Sequence, residues 1–176
     1  ADNSQNAIYR ANNDGSGSQV LVDPSTIPTS TTGTAGNFDP WGVAVDANFV
    51  YWSDVAQDSI YRANLDGTNP VVLIDESVIP VSMTGIAGFY NQYGVAVDAN
   101  FIYWADEAQN SIYRANLNGT SPAVFVDGMD IPLATMSGSS FLNPSGITVD
   151  SNFVYWTDNV QDSIYRVPLA GGIATV

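Results

Sequence analysis

The chain has 176 residues, 18 acidic against 4 basic, for a formal net charge of −14. It contains no Cys, His or Lys, which excludes a Ser-His-Asp triad, a thiol nucleophile, a disulfide, a zinc site of the usual His/Cys kind, a Schiff-base lysine and a P-loop. A hydrophobic fraction of 45% suffices for a core, four dispersed arginines on an acidic chain argue against nucleic acid, and no apolar run approaches the ~20 residues of a membrane helix.

The first residue is Ala1 rather than Met and no signal-peptide pattern follows, so this N-terminus is expected to be processed or cut from something longer. The first distinctive element is Ile8-Tyr9-Arg10. The same tripeptide returns every 52 residues, at Ile60-Tyr61-Arg62, Ile112-Tyr113-Arg114 and Ile164-Tyr165-Arg166, and uses every basic residue of the chain. Tyr-Trp keeps the same period at Tyr51-Trp52, Tyr103-Trp104 and Tyr155-Trp156. An ungapped repeat of about this length indicates a solenoid, a propeller or an array. The phase divides the chain into a partial unit at residues 1–20 and full units at 21–72, 73–124 and 125–176.

Within one unit the pattern is β throughout. Val43–Val45, Phe49–Trp52, Ile60–Leu65 and Val71–Ile74 are β-branched or aromatic runs. Turn signals separate them: Asp46-Ala47-Asn48, the polar stretch Asp54–Ser59, and Asp66-Gly67-Thr68-Asn69-Pro70. No helical periodicity exceeds about one turn. Four short antiparallel strands per unit predict an all-β fold of propeller blades.

The segments Pro144–Asp150, Val154–Asp158 and Ile164–Leu169 with Gly171-Gly172 carry a resemblance. They resemble the YWTD repeat, the blade of the low-density-lipoprotein-receptor class of β-propellers and of related bacterial repeat proteins. The other copies read YWSD and YWAD, and the match covers about two-thirds of each unit. The resemblance implies a propeller, usually six-bladed, extracellular, and used for binding rather than catalysis. Two features depart from it. The unit is longer than the family's, with the excess between the fourth strand and the next first strand. Three units are also too few to close a ring, for which propellers typically use at least four blades. The open blade faces are therefore expected to be covered by other copies of the chain or by further repeats, as a ring or a head-to-tail polymer.

Several positions are candidates for function. Asp54, Asp106 and Asp158, with Asp2 at the same phase, follow Tyr-Trp. They read either as a carboxylate ring for a cation or, preferably, as acceptors at strand ends or partners of the repeat arginine. Arg10, Arg62, Arg114 and Arg166 read as structural, bonding within the blade or to the next, or as surface groups. Asp46 and Asn48, Asp98 and Asn100, and Asp150 and Asn152 have the Asp-x-Asn spacing of calcium loops. They sit, however, where a hairpin turn is expected, and the remaining ligands of such a loop are absent. The long inserts 24–39, 76–91 and 128–143 end in aromatics. Phe38, Trp41, Phe89, Tyr90, Tyr93 and Phe141 are thus candidates to bind sugar or protein from loops over a rigid scaffold; packing of the loops on themselves and self-association through them are the competing readings.

The resulting expectation is a non-enzymatic extracellular propeller module with a structural or adhesive role, partnered by itself or by further repeats, with no cofactor unless calcium binds the Asp-x-Asn turns. A carbohydrate- or protein-binding propeller is the alternative, and a calcium-dependent hydrolase the second. Against the last, Glu76 and Glu107 fall at unrelated phases and Asp39 has no counterpart in the other units. Asn118-Gly119-Thr120 is a glycosylation sequon in a host that uses that chemistry.

Overall fold

Antiparallel sheets succeed one another along the chain, each a meander in which every strand pairs with the next. The computed structural model describes residues 1–132 and 142–176. Strands β1 (Ile8–Arg10) and β2 (Gln19–Val22) form a two-stranded sheet. β3 (Pro40–Val45), β4 (Phe49–Asp54), β5 (Ser59–Asn64) and β6 (Val71–Ile74) form a four-stranded one. A second four-stranded sheet contains β7 (Gln92–Val97), β8 (Phe101–Asp106), β9 (Ser111–Asn116) and β10 (Ala123–Val126). The last has β11 (Pro144–Val149), β12 (Phe153–Asp158) and β13 (Ser163–Pro168). Helical structure among the described residues is limited to three-residue 3-10 turns such as Val55–Gln57 and Glu76–Val78. The polar stretch expected to link the second and third strands is in part strand, because Asp54 still pairs with Ser59 before the turn begins.

Turn chemistry sets the meander. In the first hairpin of each of the last three sheets the Asp46, Asp98 or Asp150 carboxylate accepts from the backbone N–H groups two and three residues on, at 2.7 and 2.8 Å. Its other oxygen accepts from the hydroxyl of Tyr51, Tyr103 or Tyr155. In the third hairpin Gly67 and Gly119 take φ of +84° and +82°, a conformation that costs glycine little.

The Tyr-Trp pair follows from strand alternation: neighbours on a strand point to opposite faces. Trp52 and Val50 join Ile8, Val22 and Tyr61 in the core between the β1–β2 sheet and the next. Tyr51 points the other way, into the core shared with Ile102, Trp104 and Tyr113. Tyr103 does the same toward Val154, Trp156 and Tyr165. Each tryptophan stacks on its blade's tyrosine, with centroids 5.4, 5.3 and 5.6 Å apart for Trp52–Tyr61, Trp104–Tyr113 and Trp156–Tyr165.

The first strands β3, β7 and β11 lie side by side. A Cβ added at Gly42 would stand 2.3 Å from the Tyr93 carbonyl oxygen, and one at Gly94 2.3 Å from that of Ser145, so the backbones approach too closely for any side chain. At Gly146 the added atom would meet only its own blade's Thr157, at 3.1 Å. The outward face of the last sheet is uncovered in the same way: Ile164 is 64% exposed, whereas Ile60 and Ile112 at the same phase are 0% exposed.

Candidate binding face

The aspartate after Tyr-Trp sits at a junction of backbone donors. Asp54 Oδ1 accepts from the N–H of Asp39 at 3.0 Å and of Gln57 at 3.1 Å. Asp106 repeats this with Asn91 and Gln109, and Asp158 with Asn143, Val160 and Gln161. Each thus joins the end of the long loop to the turn after the second strand. Asp54 and Asp106 are fully buried and their Oδ2 atoms have no hydrogen-bond partner.

Burial pushes the Asp54 carboxyl up to about 6 and that of Asp106 up to about 7. Burial and the nearby Glu76 push Asp58 up to about 6. Raised folded-state values mean that the protonated forms favour the fold. This contribution is fully present below the unfolded carboxylate range near ~4 and is lost as pH rises through ~6 to ~7. Asp14, Asp66 and Asp150 are held low, the first two by the hydroxyls of Ser16 and Thr68 and the third by the N–H groups of Asn152 and Phe153. Their contribution is present above ~4 and lost in stronger acid. Urea midpoints are therefore expected to peak near about pH 4, to fall between about pH 4 and 7 and to level off above. Asp106→Asn, which imitates the protonated acid, should flatten the fall. A wild-type midpoint rising steadily from pH 5 to 8 would overturn the assignment.

The residues that organise the long loops are ones the sequence reading passed over. Gln57 is fully buried. Its Oε1 accepts from Ser30 N–H at 3.1 Å, and its Nε2 donates to the carbonyls of Thr34 and Asn37. Gln109 makes the equivalent bonds to Ser82, Ile86 and Phe89. The Ser30 and Ser82 hydroxyls donate to the carbonyls of Gln57 and Gln109. The loops 24–39 and 76–91 are thus laced down at their centres. The signal was there to find, because Gln5, Gln57, Gln109 and Gln161 keep the 52-residue period.

The candidate aromatics part company. Phe38 and Tyr90 are buried, at 3% and 6% exposure, and so are corrected from contact residues to core. Phe38 packs edge-on against Tyr61, and the Tyr90 hydroxyl donates to the Ile79 carbonyl at 3.0 Å. Phe141 lies outside the described residues. Trp41, 48% exposed, meets Tyr93 edge to face with centroids 5.0 Å apart. The two rings line an open groove of about 500 Å³ with Glu107, Asn143, Ser145 and Asn159. Asn143 Nδ2 donates to Glu107 Oε1 at 2.7 Å, and Asn159 Nδ2 to Ser145 Oγ at 3.1 Å. Burial and a hydrogen bond to Glu107 raise the Tyr93 phenol. The groove spans the ends of β3, β7 and β11, so it draws on three successive sheets.

The arginines point away from it. Arg10, Arg62 and Arg114 each donate to a carbonyl 55 residues on, in the third hairpin of the following blade: Leu65 at 3.4 Å, Leu117 at 3.3 Å and Leu169 at 3.4 Å. Arg62 and Arg114 also lie over the rings of Phe49 and Phe101, and Arg166 over Phe153.

Asp46, Asn48, Asp98, Asn100, Asp150 and Asn152, weighed above as turn residues against calcium ligands, form the first hairpin turns of the last three sheets. Asn48, Asn100 and Asn152 each donate their backbone N–H to the preceding aspartate's Oδ1 at 2.7 Å. The Asn100 carbonyl accepts from Leu117 N–H at 3.3 Å and that of Asn152 from Leu169 N–H at 2.9 Å, which ties this turn to the end of the third strand. Each aspartate spends both oxygens on its own turn and on a tyrosine, so the Asp-x-Asn spacing reflects a side-chain-closed hairpin. Among the described residues no group of three or more acidic side chains is placed to hold a metal ion.

Sheets in tandem, first strands side by side and a groove across their ends define a β-propeller segment. The comparisons agree on the fold. A chain in the crystal structure of a nidogen/laminin complex superposes with a TM-score of 0.64 at 23% identity, over 90% of this chain and 51% of that one. A catalytically inactive virginiamycin B lyase from Staphylococcus aureus with quinupristin gives 0.59 at 18% identity, over 98% and 48%. Residues 48–98 match the family model described as low-density lipoprotein receptor repeat class B. Mouse low-density lipoprotein receptor-related protein 5 is 31% identical over 145 residues, 78% of this chain and 8% of that protein. Mouse sortilin-related receptor is 32% identical over 114 residues, 65% of this chain and 4% of that protein. Residues 48–98 thus match a low-density lipoprotein receptor class B repeat of the YWTD type, and the chain spans about half of the solved propeller chains and a small part of the receptors it resembles.

Proposed function

We propose that this chain is a non-enzymatic, extracellular ligand-binding segment of a YWTD propeller, and that ligand meets it at the Trp41–Tyr93 groove. The carrying observation is that groove: an exposed tryptophan against a half-buried tyrosine, beside a fixed carboxylate and two amides, on three rigid strands. Such sites, mostly apolar with a few placed polar groups, suit a peptide or sugar. The groove's carboxylate is committed to Asn143, which supports binding over catalysis. The receptor relatives support an extracellular setting. The test is selection of binders from a glycan array and a displayed peptide library, with Trp41→Ala as the counter-screen. Binders weakened at least tenfold by Trp41→Ala are expected. Failure to find any Trp41-dependent binder would overturn the reading.

One observation favours a second role. The face of the last sheet carrying Gly146 and Ile164 is open where the equivalent faces at Gly42, Gly94, Ile60 and Ile112 are closed. Its cover is a further repeat or a second copy, and the latter makes the segment a self-assembling structural unit. Sedimentation showing only an 18.7 kDa species would exclude the second copy.

A further inference from the structure

The two described long loops share one backbone and differ in what they show to solvent. Both carry the glutamine and serine bonds described above. Asp75 Oδ2 accepts from Thr31 N–H, and Asp127 Oδ2 from Met83 N–H, each at 2.7 Å. Gly36 and Gly88 both have φ of +78°. On this common frame the first loop exposes Thr26, Thr29, Thr31, Thr34 and Asn37. At the same five phases the second exposes Val78, Val81, Met83, Ile86 and Phe89, each between 45% and 79% accessible. In the third insert those phases hold Asp130, Leu133, Thr135, Gly138 and Phe141. The backbone does not require these apolar groups, since threonine and asparagine serve at the same places. Exposed methionine, isoleucine and phenylalanine gathered on one loop mark a contact surface.

Charge identifies the partner. Asp75 and Glu76 open this loop, the Asp127 carboxylate is bonded to its middle, and Asp130 lies just beyond. Arg10, Arg62 and Arg114 are held at the far end of the blades against Leu65, Leu117 and Leu169. A second copy, with the same formal charge of −14, is disfavoured as the occupant of this acidic loop. We infer that the loop 76–91 docks a protein segment bearing an apolar stripe flanked by lysine or arginine. None of the five side chains lines the Trp41–Tyr93 groove, so this surface is additional to the one proposed above.

The variant Val78→Thr, Val81→Thr, Met83→Thr, Ile86→Thr, Phe89→Asn transplants the first loop's exposed residues and leaves net charge unaltered. The probe is a labelled amphipathic peptide with leucine and phenylalanine on one face and lysine on the other, followed by anisotropy. A counterpart carries glutamate in place of lysine. Wild type is expected to bind the lysine peptide with salt-sensitive affinity and to ignore the glutamate peptide. The variant should bind the lysine peptide at least tenfold more weakly with an unchanged circular dichroism spectrum, and Trp41→Ala should bind it as wild type does. If the fivefold variant misfolds, Met83→Thr and Phe89→Asn singly are expected to show partial loss. Equal binding by wild type and variant, no binding by wild type, dimerisation abolished by the variant, or preferential sedimentation with phosphatidylcholine vesicles would each overturn the inference.

Discussion

Gln109→Ala is expected to lower unfolding free energy by about 3–5 kcal/mol, although the residue is neither apolar nor charged. The substitution removes the partners of the Ser82 N–H and of the Ile86 and Phe89 carbonyls, all tied to one side chain with 0% exposure. Each buried backbone group left without a partner costs about 1–3 kcal/mol, partly relieved if water enters. The loop 76–91 should also become the first site of proteolysis while the strands remain protected. A loss below about 1 kcal/mol in urea, with no new cleavage in the loop, would show that the bonds do not hold it.

A second effect of similar size separates buried from open blade faces. Ile112→Ala should cost about 2–5 kcal/mol, because the residue is fully buried between the sheets of β7–β10 and β11–β13. Ile164→Ala, the same change at the same phase, should cost under about 0.5 kcal/mol in a monomer, since its side chain already meets water. Denaturant melts of both variants give the comparison. Equal losses would mean that the Ile164 face is covered in solution, and a loss at Ile164 that depends on protein concentration would identify the cover as another copy.

Much of the fold was legible because the blade is periodic twice over. Strand alternation explains Tyr51 and Trp52 as a pair that must serve two opposite cores, and the 52-residue return of Arg62 and Arg114 locates the same bond in successive blades. The site was only partly legible. Phe38 and Trp41 are three residues apart and equally aromatic, yet one is core and the other exposed. That choice depends on the path of the loop, which has no short period to reveal it. The loop path in turn depends on Gln57 and Gln109, whose periodicity was visible but whose role requires knowing that their amides are buried. Nothing local in the sequence distinguishes such a glutamine from one in a solvated turn. The meeting of Trp41 with Tyr93, 52 residues on, likewise depends on how neighbouring blades stand.

The glutamine clasp grips the loop through main-chain atoms. Gln57 and Gln109 bond the carbonyls of Thr34, Asn37, Ile86 and Phe89 and the N–H of Ser30 and Ser82. Apart from the serines, the clasp is blind to which side chains the loop carries. The outward residues of one repeat can therefore change without loss of the clasp's bonds, and the threonine-bearing and hydrophobic loops carry two different sets on the same frame. A duplicated unit of this kind copies a fixed frame together with an editable surface, so that one lineage can diversify its contacts repeat by repeat while its strands remain nearly identical.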